Sequence, residues 1–238
     1  MAQATDRDAL IVAHGSPSSP AVQEAALAAL AVRVAGHFPG WRLRGATLAR
    51  LGAVEAAMAD LDQPLVYPLF IAPGWFVDTQ LPARLGPRTG RCLAPLGTDL
   101  ALPDLVADVA RRTLDAHGLA LRDTAILFAA HGSPKRPESR RAVARFAAAL
   151  DRLLAPRALY QGFIDEPPYL HDAARGVGQA LCVPFFVANA GHVDQDLPAA
   201  LCAAGFTGPV LPPLIRYPGL DQLIAGALAH VGHARVAA

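Results

Sequence analysis

The sequence predicts an α/β protein of two similar domains, each a parallel sheet between two layers of helices. The first observation is a repeat, because the same motifs occur twice in the 238 residues, about 116 residues apart. The second is that short apolar runs alternate with helical stretches in both copies, which implies right-handed crossovers between parallel strands. The third is that 53% of the residues are hydrophobic and 17% are charged, which is typical of a compact globular protein.

Each half begins with a short apolar run that ends at a His-Gly-Ser-Pro motif. Runs this short, closed by Gly and Pro, favour strands buried on both faces of a parallel sheet. We predict next a helix, a weak strand, a short helix, an apolar strand, a helix with proline in its first turn, a last strand and a closing helix. In the first half these elements lie at or near residues 9–13, 21–38, 42–48, 54–61, 65–71, 81–82, 95–96 and 105–117. In the second half they lie at or near 125–130, 138–154, 158–164, 170–177, 180–187, 197–198, 213–214 and 220–230.

The stretch 116–123 is the natural junction between the copies, so we predict domains at residues 1–118 and 119–238. In open parallel sheets the chemistry lies beyond the carboxyl ends of the strands. His131 follows the first strand of the second half, and His192 follows the third within a few residues. We therefore expect both histidines at one edge of one sheet, facing one cleft.

Composition limits the possible partners and the compartment. A net charge of +1 gives no general electrostatic case for binding nucleic acid or an anionic membrane. The N-terminus lacks the apolar core of a signal peptide, and no stretch approaches roughly 18 uninterrupted apolar residues. The three cysteines show no CxxC spacing, which favours free thiols in a reducing compartment. These features predict a soluble, cytoplasmic protein.

The two copies differ at a residue that could bind a metal ion. His14 matches His131, but Phe76 stands where the second copy has His192. Two neutral imidazoles in one cleft are suited to Fe²⁺, Co²⁺, Ni²⁺ or Zn²⁺, and either could exchange protons near neutral pH. The competing interpretation is that a histidine beside Gly-Ser is structural. The loss of one partner from one copy favours a single working site in the second half.

An acidic pair is lost from the first copy together with the histidine. Aligned without gaps, Asp165 and Glu166 stand opposite Ala49 and Arg50. A site that needs both a carboxylate and an imidazole explains why both are missing from one copy. Independent drift at two solvent-facing positions is the alternative.

Three motifs in order resemble those of the class II chelatases, which insert a divalent metal into a tetrapyrrole. They are the His-Gly-Ser starts, Gly-Phe-Ile-Asp-Glu-Pro-Pro at 162–168, and Val-Pro-Phe-Phe followed by Gly-His-Val-Asp-Gln-Asp-Leu-Pro within 183–198. The resemblance spans nearly the whole chain and is closest to the long form of the family, in which two chelatase-like copies are fused. It implies that His131 and His192 bind the metal, and that Glu166, or Asp165 with a loop one residue shorter, is the acting carboxylate. The first copy is then a degenerate scaffold.

The resemblance also implies the reaction and its substrates. We expect insertion of Co²⁺ or Fe²⁺ into a tetrapyrrole such as sirohydrochlorin, in cobalamin or siroheme biosynthesis. No cofactor is expected to be permanently bound, because the metal ion is a substrate that must be held loosely enough to leave. Sirohydrochlorin carries many carboxylates, which Ser133, Lys135 and Arg136 could contact. We expect a monomer, with a homodimer as the alternative.

Two other functions would use some of the same residues. A serine hydrolase would draw on the two Gly-Ser pairs, but the proline directly after each serine removes the amide that such enzymes use as an oxyanion donor. A non-catalytic carrier of metal or tetrapyrrole would need the same ligands without turnover, and sequence alone does not separate it from an enzyme.

Overall fold

Two parallel three-stranded sheets form the framework of the chain. We describe it from a computed structural model, which covers residues 8–17, 19–88, 90–133, 137–188 and 191–234. The first sheet has the order β2-β1-β3 and the second the order β5-β4-β6. Their strands are β1 (Asp8–Ala13), β2 (Arg42–Thr47), β3 (Leu65–Leu69), β4 (Ala125–Ala130), β5 (Ala158–Phe163) and β6 (Ala180–Pro184). Every residue of the central strands β1 and β4 is buried, which confirms the prediction of strands covered on both faces.

Helices follow the strands in the predicted order. They are α1 (Pro20–Ala35), α2 (Ala53–Met58), α3 (Leu81–Leu85), α4 (Leu102–Ala116), α5 (Pro137–Leu154), α6 (Leu170–Ala174), α7 (Gly191–Ala203) and α8 (Leu220–Ala234). Short 3₁₀ turns lie at Gly86–Arg88, Leu96–Thr98, Leu121–Asp123 and Leu214–Arg216. Among the described residues, no helix is both long and apolar enough to cross a membrane.

Each sheet is covered by helices on both faces. Leu10 and Val12 of β1 pack with Val54 of α2 and Leu81 of α3. Side chains alternate along a strand, so Ile11 points to the other face, where α1 and α8 contact the sheet. The second sheet repeats this arrangement, with α6 and α7 on one face and α4 and α5 on the other.

The two compact units of the chain do not follow the predicted domains. One unit comprises Met1–Asp99 with Pro218–Ala238, and the other comprises Leu100–Tyr217. We call them unit 1 and unit 2. The closing helix of each copy therefore packs in the unit of the other copy: α4 lies against α5, and α8 lies against α1. The predicted domains at 1–118 and 119–238 share the sheets of these units but not the closing helices, since nothing in the sequence of a helix specifies which of two similar sheets it covers.

The predicted last strand of each copy is wrong. In place of the first predicted strand, an isolated parallel bridge joins Cys92 to Val66, and in place of the second another joins Val210 to Cys182. Prolines near these bridges have no N–H to donate to a ladder, so pairing stops after one step. These prolines are Pro95, Pro209, Pro212 and Pro213.

The prediction that the third helix of each copy has proline in its first turn is wrong for the second copy. Helix α7 begins at Gly191, so Pro198 lies inside it, where its missing N–H removes one backbone hydrogen bond. In unit 1 a π-helical turn at Phe76–Gln80 leads directly into α3. His192, expected in a loop, is thus the second residue of a helix.

Candidate functional site

The loops that leave β4 and β5 stay paired beyond the sheet and bring His131 beside Asp165. The amide of Ile164 donates to the carbonyl of Ala130 at 3.1 Å, and the amide of Asp165 donates to the carbonyl of His131 at 2.9 Å. These bonds continue the register of the two strands by two residues past the sheet. The carboxyl edge of the second sheet therefore holds an imidazole and a carboxylate on adjacent backbone segments.

The side chains of His131 and Asp165 lie within hydrogen-bonding distance of each other, and each is about half exposed. The distance from His131 Nδ1 to Asp165 Oδ2 is 3.2 Å, and the carbonyl of Gly132 lies 3.3 Å from the same nitrogen. An Nδ1 proton shared with these oxygens leaves Nε2 with a free lone pair, which is how metal-binding histidines are usually held. The pair can therefore present one oriented nitrogen ligand to an ion at the sheet edge.

Glu166 differs from Asp165 because its carboxylate is enclosed, with 7% of the side chain exposed. One oxygen accepts the amide proton of Ser133 at 3.1 Å, and the other lies 3.2 Å from Nη2 of Arg140. The Arg140 guanidinium also lies 5.6 Å from the centre of the Phe163 ring and donates to the carbonyl of Pro167. Glu166 thus connects the turn after β4 with the start of α5.

A side chain does not fit at Gly132 in the turn after β4. Its φ is +81°, and a Cβ would stand 2.7 Å from Glu166 Cγ and 3.1 Å from Phe163 Cβ. The imidazole loop and the buried acid can approach this closely only because residue 132 has no side chain.

Replacing Gly132 by alanine should destabilise the protein by about 2–4 kcal/mol, because left-handed backbone strain and the contact with Glu166 add together. The matched control is Gly176→Ala, since Gly176 has φ +66° and nothing within 4 Å of its Cβ position. That control should cost only about 1–2 kcal/mol. Urea unfolding of both variants measures the difference, and equal losses would show that the contact with Glu166 contributes nothing.

The other predicted site residues are placed only in part. His192 lies in the first turn of α7, and its side chain is outside the described part of the structure. Ser133 is half-buried, and its amide donates to Glu166. Lys135 and Arg136 lie outside the described residues.

Unit 1 shows where the position that matches His192 lies relative to the first histidine. The rings of His14 and Phe76 have their centres 4.1 Å apart, at an angle of 41°. The amide of Ala49 donates to the carbonyl of His14 at 2.8 Å, just as Asp165 does to His131. In this sheet the residue at position 76 therefore packs directly on the histidine that follows the central strand.

Sequence reasoning missed Arg140, although a signal was present. Arg140 and Gln23 are each the fourth residue of their helix, α5 and α1, so the second copy has a charged residue where the first has a neutral one. This gain of charge, together with the gain of Asp165 and Glu166 in the second copy, was the available signal.

Among the described side chains, other residues of the types that bind metals add no ligand group to this site. Among them, no group of three or more His, Cys, Asp or Glu residues could hold a metal ion. Burial raises the pKa of the Cys182 thiol to about 12, so it stays neutral at physiological pH and is unsuited to metal binding. His192, whose side chain lies outside the described set, stays a predicted ligand.

Comparison with known proteins identifies both a relative of high sequence identity and more distant structural matches. The family model for CbiX matches residues 125–229. The structure of CbiX, the terminal enzyme for biosynthesis of siroheme in denitrifying bacteria, is 43% identical, with a TM-score of 0.85. That alignment covers 94% of this chain and 99% of the relative. No curated protein sequence matches the chain.

Two more distant solved structures share the fold. SirB from Bacillus subtilis, solved with Fe³⁺, is 16% identical at a TM-score of 0.71, over 94% of this chain and 95% of SirB. DR2241 from Deinococcus radiodurans, a multi-domain protein with structural similarity to chelatases, is 24% identical at a TM-score of 0.74. That alignment covers 94% of this chain and 55% of DR2241.

Proposed function

Because the chain belongs to the CbiX family, we propose that it is a metal chelatase that inserts Co²⁺ or Fe²⁺ into a tetrapyrrole of the sirohydrochlorin type. The observation that carries this proposal is the His131–Asp165 pair, 3.2 Å apart at the carboxyl edge of the second sheet. The close relative is an enzyme of siroheme biosynthesis, and a sirohydrochlorin chelatase from Bacillus subtilis has been solved in complex with cobalt. The carrier alternative is not favoured, since these related proteins are enzymes.

The metal ion is a substrate, and His131 and His192 are its two protein ligands in this proposal. The contact of Phe76 with His14 in unit 1 supports the pairing, because Phe76 occupies the position that matches His192. Two imidazoles leave several coordination positions open, so the ion can pass to the pyrrole nitrogens one bond at a time. No metal or other cofactor then needs to be permanently bound.

The chain is a long, two-copy form with one working site in this proposal. The equal strand orders and the matching hydrogen bonds after β1 and β4 support a duplication. Unit 1 has kept the architecture but carries Phe76 and Ala49 where a second ligand and an acid would be needed. We further propose a cytoplasmic monomer in which Ser133, Lys135 and Arg136 lie near the tetrapyrrole carboxylates.

Of the two acids, Asp165 is the better candidate to accept a pyrrole proton or to orient His131. It is half exposed and touches the imidazole, whereas Glu166 is buried and already paired with Arg140. Proton transfer requires a carboxylate within reach of the substrate. We therefore assign Glu166, the acid first expected to be catalytic, a role in holding the turn at Gly132.

Asp165→Asn should lower the rate of metal insertion about 10- to 100-fold with little change in stability, because it removes a proton acceptor and a histidine partner. Glu166→Gln should lower stability by about 1–3 kcal/mol, since it breaks a buried charged pair, and should leave more activity. Insertion rates and urea unfolding of both variants separate the roles. If Glu166→Gln loses activity at full stability while Asp165→Asn remains active, the assignment of the two acids is reversed.

The function itself is tested by incubating the purified protein with sirohydrochlorin and Co²⁺ or Fe²⁺ and following the visible spectrum. A chelatase raises the insertion rate above that of metal and tetrapyrrole alone, with many turnovers per chain. A carrier would bind one or both substrates and leave that rate unchanged, which would overturn the proposal.

A further inference from the structure

Arg140 is held at the edge of the candidate site by three described contacts. They are the ion pair with Glu166, the bond donated to the carbonyl of Pro167, and the position over the Phe163 ring. Glu166 and Phe163 are both buried, so the guanidinium rests on a fixed base. The Arg140 side chain is nevertheless 47% exposed. An arginine held in this way loses little conformational freedom when it binds a ligand.

The guanidinium keeps hydrogen-bond donors for a ligand. Both polar contacts use Nη2, and within the described residues no partner accepts a proton from Nε or Nη1. An arginine carries five N–H donors, and its planar fork matches a carboxylate at two points. The unused side of Arg140 can therefore bind a second carboxylate that comes from solvent.

Arg140 is also close to the reacting groups along the backbone. Its partner Glu166 accepts the amide proton of Ser133, two residues after His131, and directly follows Asp165. In unit 1 the matching position, the fourth residue of α1, holds Gln23, which carries no charge. The combination of an exposed, anchored arginine with a histidine–aspartate pair therefore belongs to unit 2.

We propose that Arg140 binds a peripheral carboxylate of the tetrapyrrole and so selects substrates that carry such groups. The inference rests on the proposed function, because it names how the same site recognises its organic substrate. Anions of this type are the natural partners of a half-exposed guanidinium whose own counter-ion is buried beneath it. Glu166 and Phe163 are positioning residues that set the direction of the fork.

The test is the dissociation constant of sirohydrochlorin for the metal-free protein, measured by fluorescence titration. Arg140→Met should raise this constant about 10- to 100-fold, because it removes charged hydrogen bonds to the ligand. Arg140→Lys should recover part of the affinity, because lysine keeps the positive charge but lacks the planar guanidinium that binds a carboxylate at two points. The KM for Co²⁺ should be unchanged, since none of the described contacts of Arg140 involves a proposed metal ligand.

The matched control is Arg141→Met, because Arg141 is the next residue of the same helix and is exposed. It should bind sirohydrochlorin as the wild type does. The double variant Arg140→Gln with Glu166→Gln leaves no unpaired buried charge, so it reports on binding even where Arg140→Met fails to fold. Weak binding by this double variant supports the proposal, whereas wild-type affinity in Arg140→Met or in the double variant would overturn it. A wild type that binds sirohydrochlorin without inserting metal contradicts the chelatase function instead, and not the role of Arg140.

Discussion

Replacing His192 by alanine should reduce the rate of metal insertion by more than about 100-fold. The proposed site has two imidazole ligands, and loss of even a hydrogen-bonding partner of a metal ligand commonly costs 10- to 100-fold. The variant should remain folded, because residue 192 lies in the first turn of α7, where alanine is well tolerated. Insertion of Co²⁺ into sirohydrochlorin, followed by absorbance, measures the loss. His131→Ala should behave in the same way.

His14→Ala is the matched control, because His14 follows β1 as His131 follows β4. It should keep most of the insertion activity, since its neighbour in unit 1 is Phe76 rather than a second ligand. Equal losses in His14→Ala and His192→Ala would contradict a single working site.

Restoring the missing groups in unit 1 should create a metal site there. In the His192→Ala background, Phe76→His with Ala49→Asp places an imidazole and a carboxylate next to His14. The Phe76 ring is 4.1 Å from the His14 ring, and the Ala49 amide is bonded to the His14 carbonyl, so both new groups start within reach. We expect this variant to bind about one Co²⁺ per chain more than its parent. Calorimetric titration with Co²⁺ gives the stoichiometry.

The control for this experiment is Phe76→Ala with Ala49→Asp in the same background. It keeps the new carboxylate and the space but lacks the second imidazole, so it should bind Co²⁺ no better than the parent. If the histidine variant also gains nothing, the two positions do not form a ligand pair and the argument from the repeat fails.

The repeat made the sheets predictable. The apolar runs before His14 and His131 have no polar face, as expected of strands covered on both sides of a sheet. Both strands are fully buried in the structure. The exchange of closing helices was not predicted, because the sequence pattern identifies α4 and α8 as helices but does not show which sheet each one covers. The apolar residues around Cys92 and Val210 favour a fourth strand in each sheet. The nearby prolines disfavour it, and the structure has only isolated bridges at these two positions.

The sequence alone does not distinguish the roles of Asp165 and Glu166. Asp165 and Glu166 are neighbours in sequence, and their types do not tell which one faces solvent. The backbone bond from Asp165 to His131 turns the first acid toward the imidazole, and the next residue then points under the turn. Arg140 was missed because the partner that fixes it lies 26 residues away along the chain, on the loop after β5.

Anomalous diffraction at the cobalt absorption edge, from crystals of the protein soaked with Co²⁺, tests the central claim most directly. The proposal predicts one strong peak per chain, in unit 2, within bonding distance of nitrogen atoms of both His131 and His192. A peak beside His14, or a cobalt ion in unit 2 bound by neither of those histidines, would contradict it.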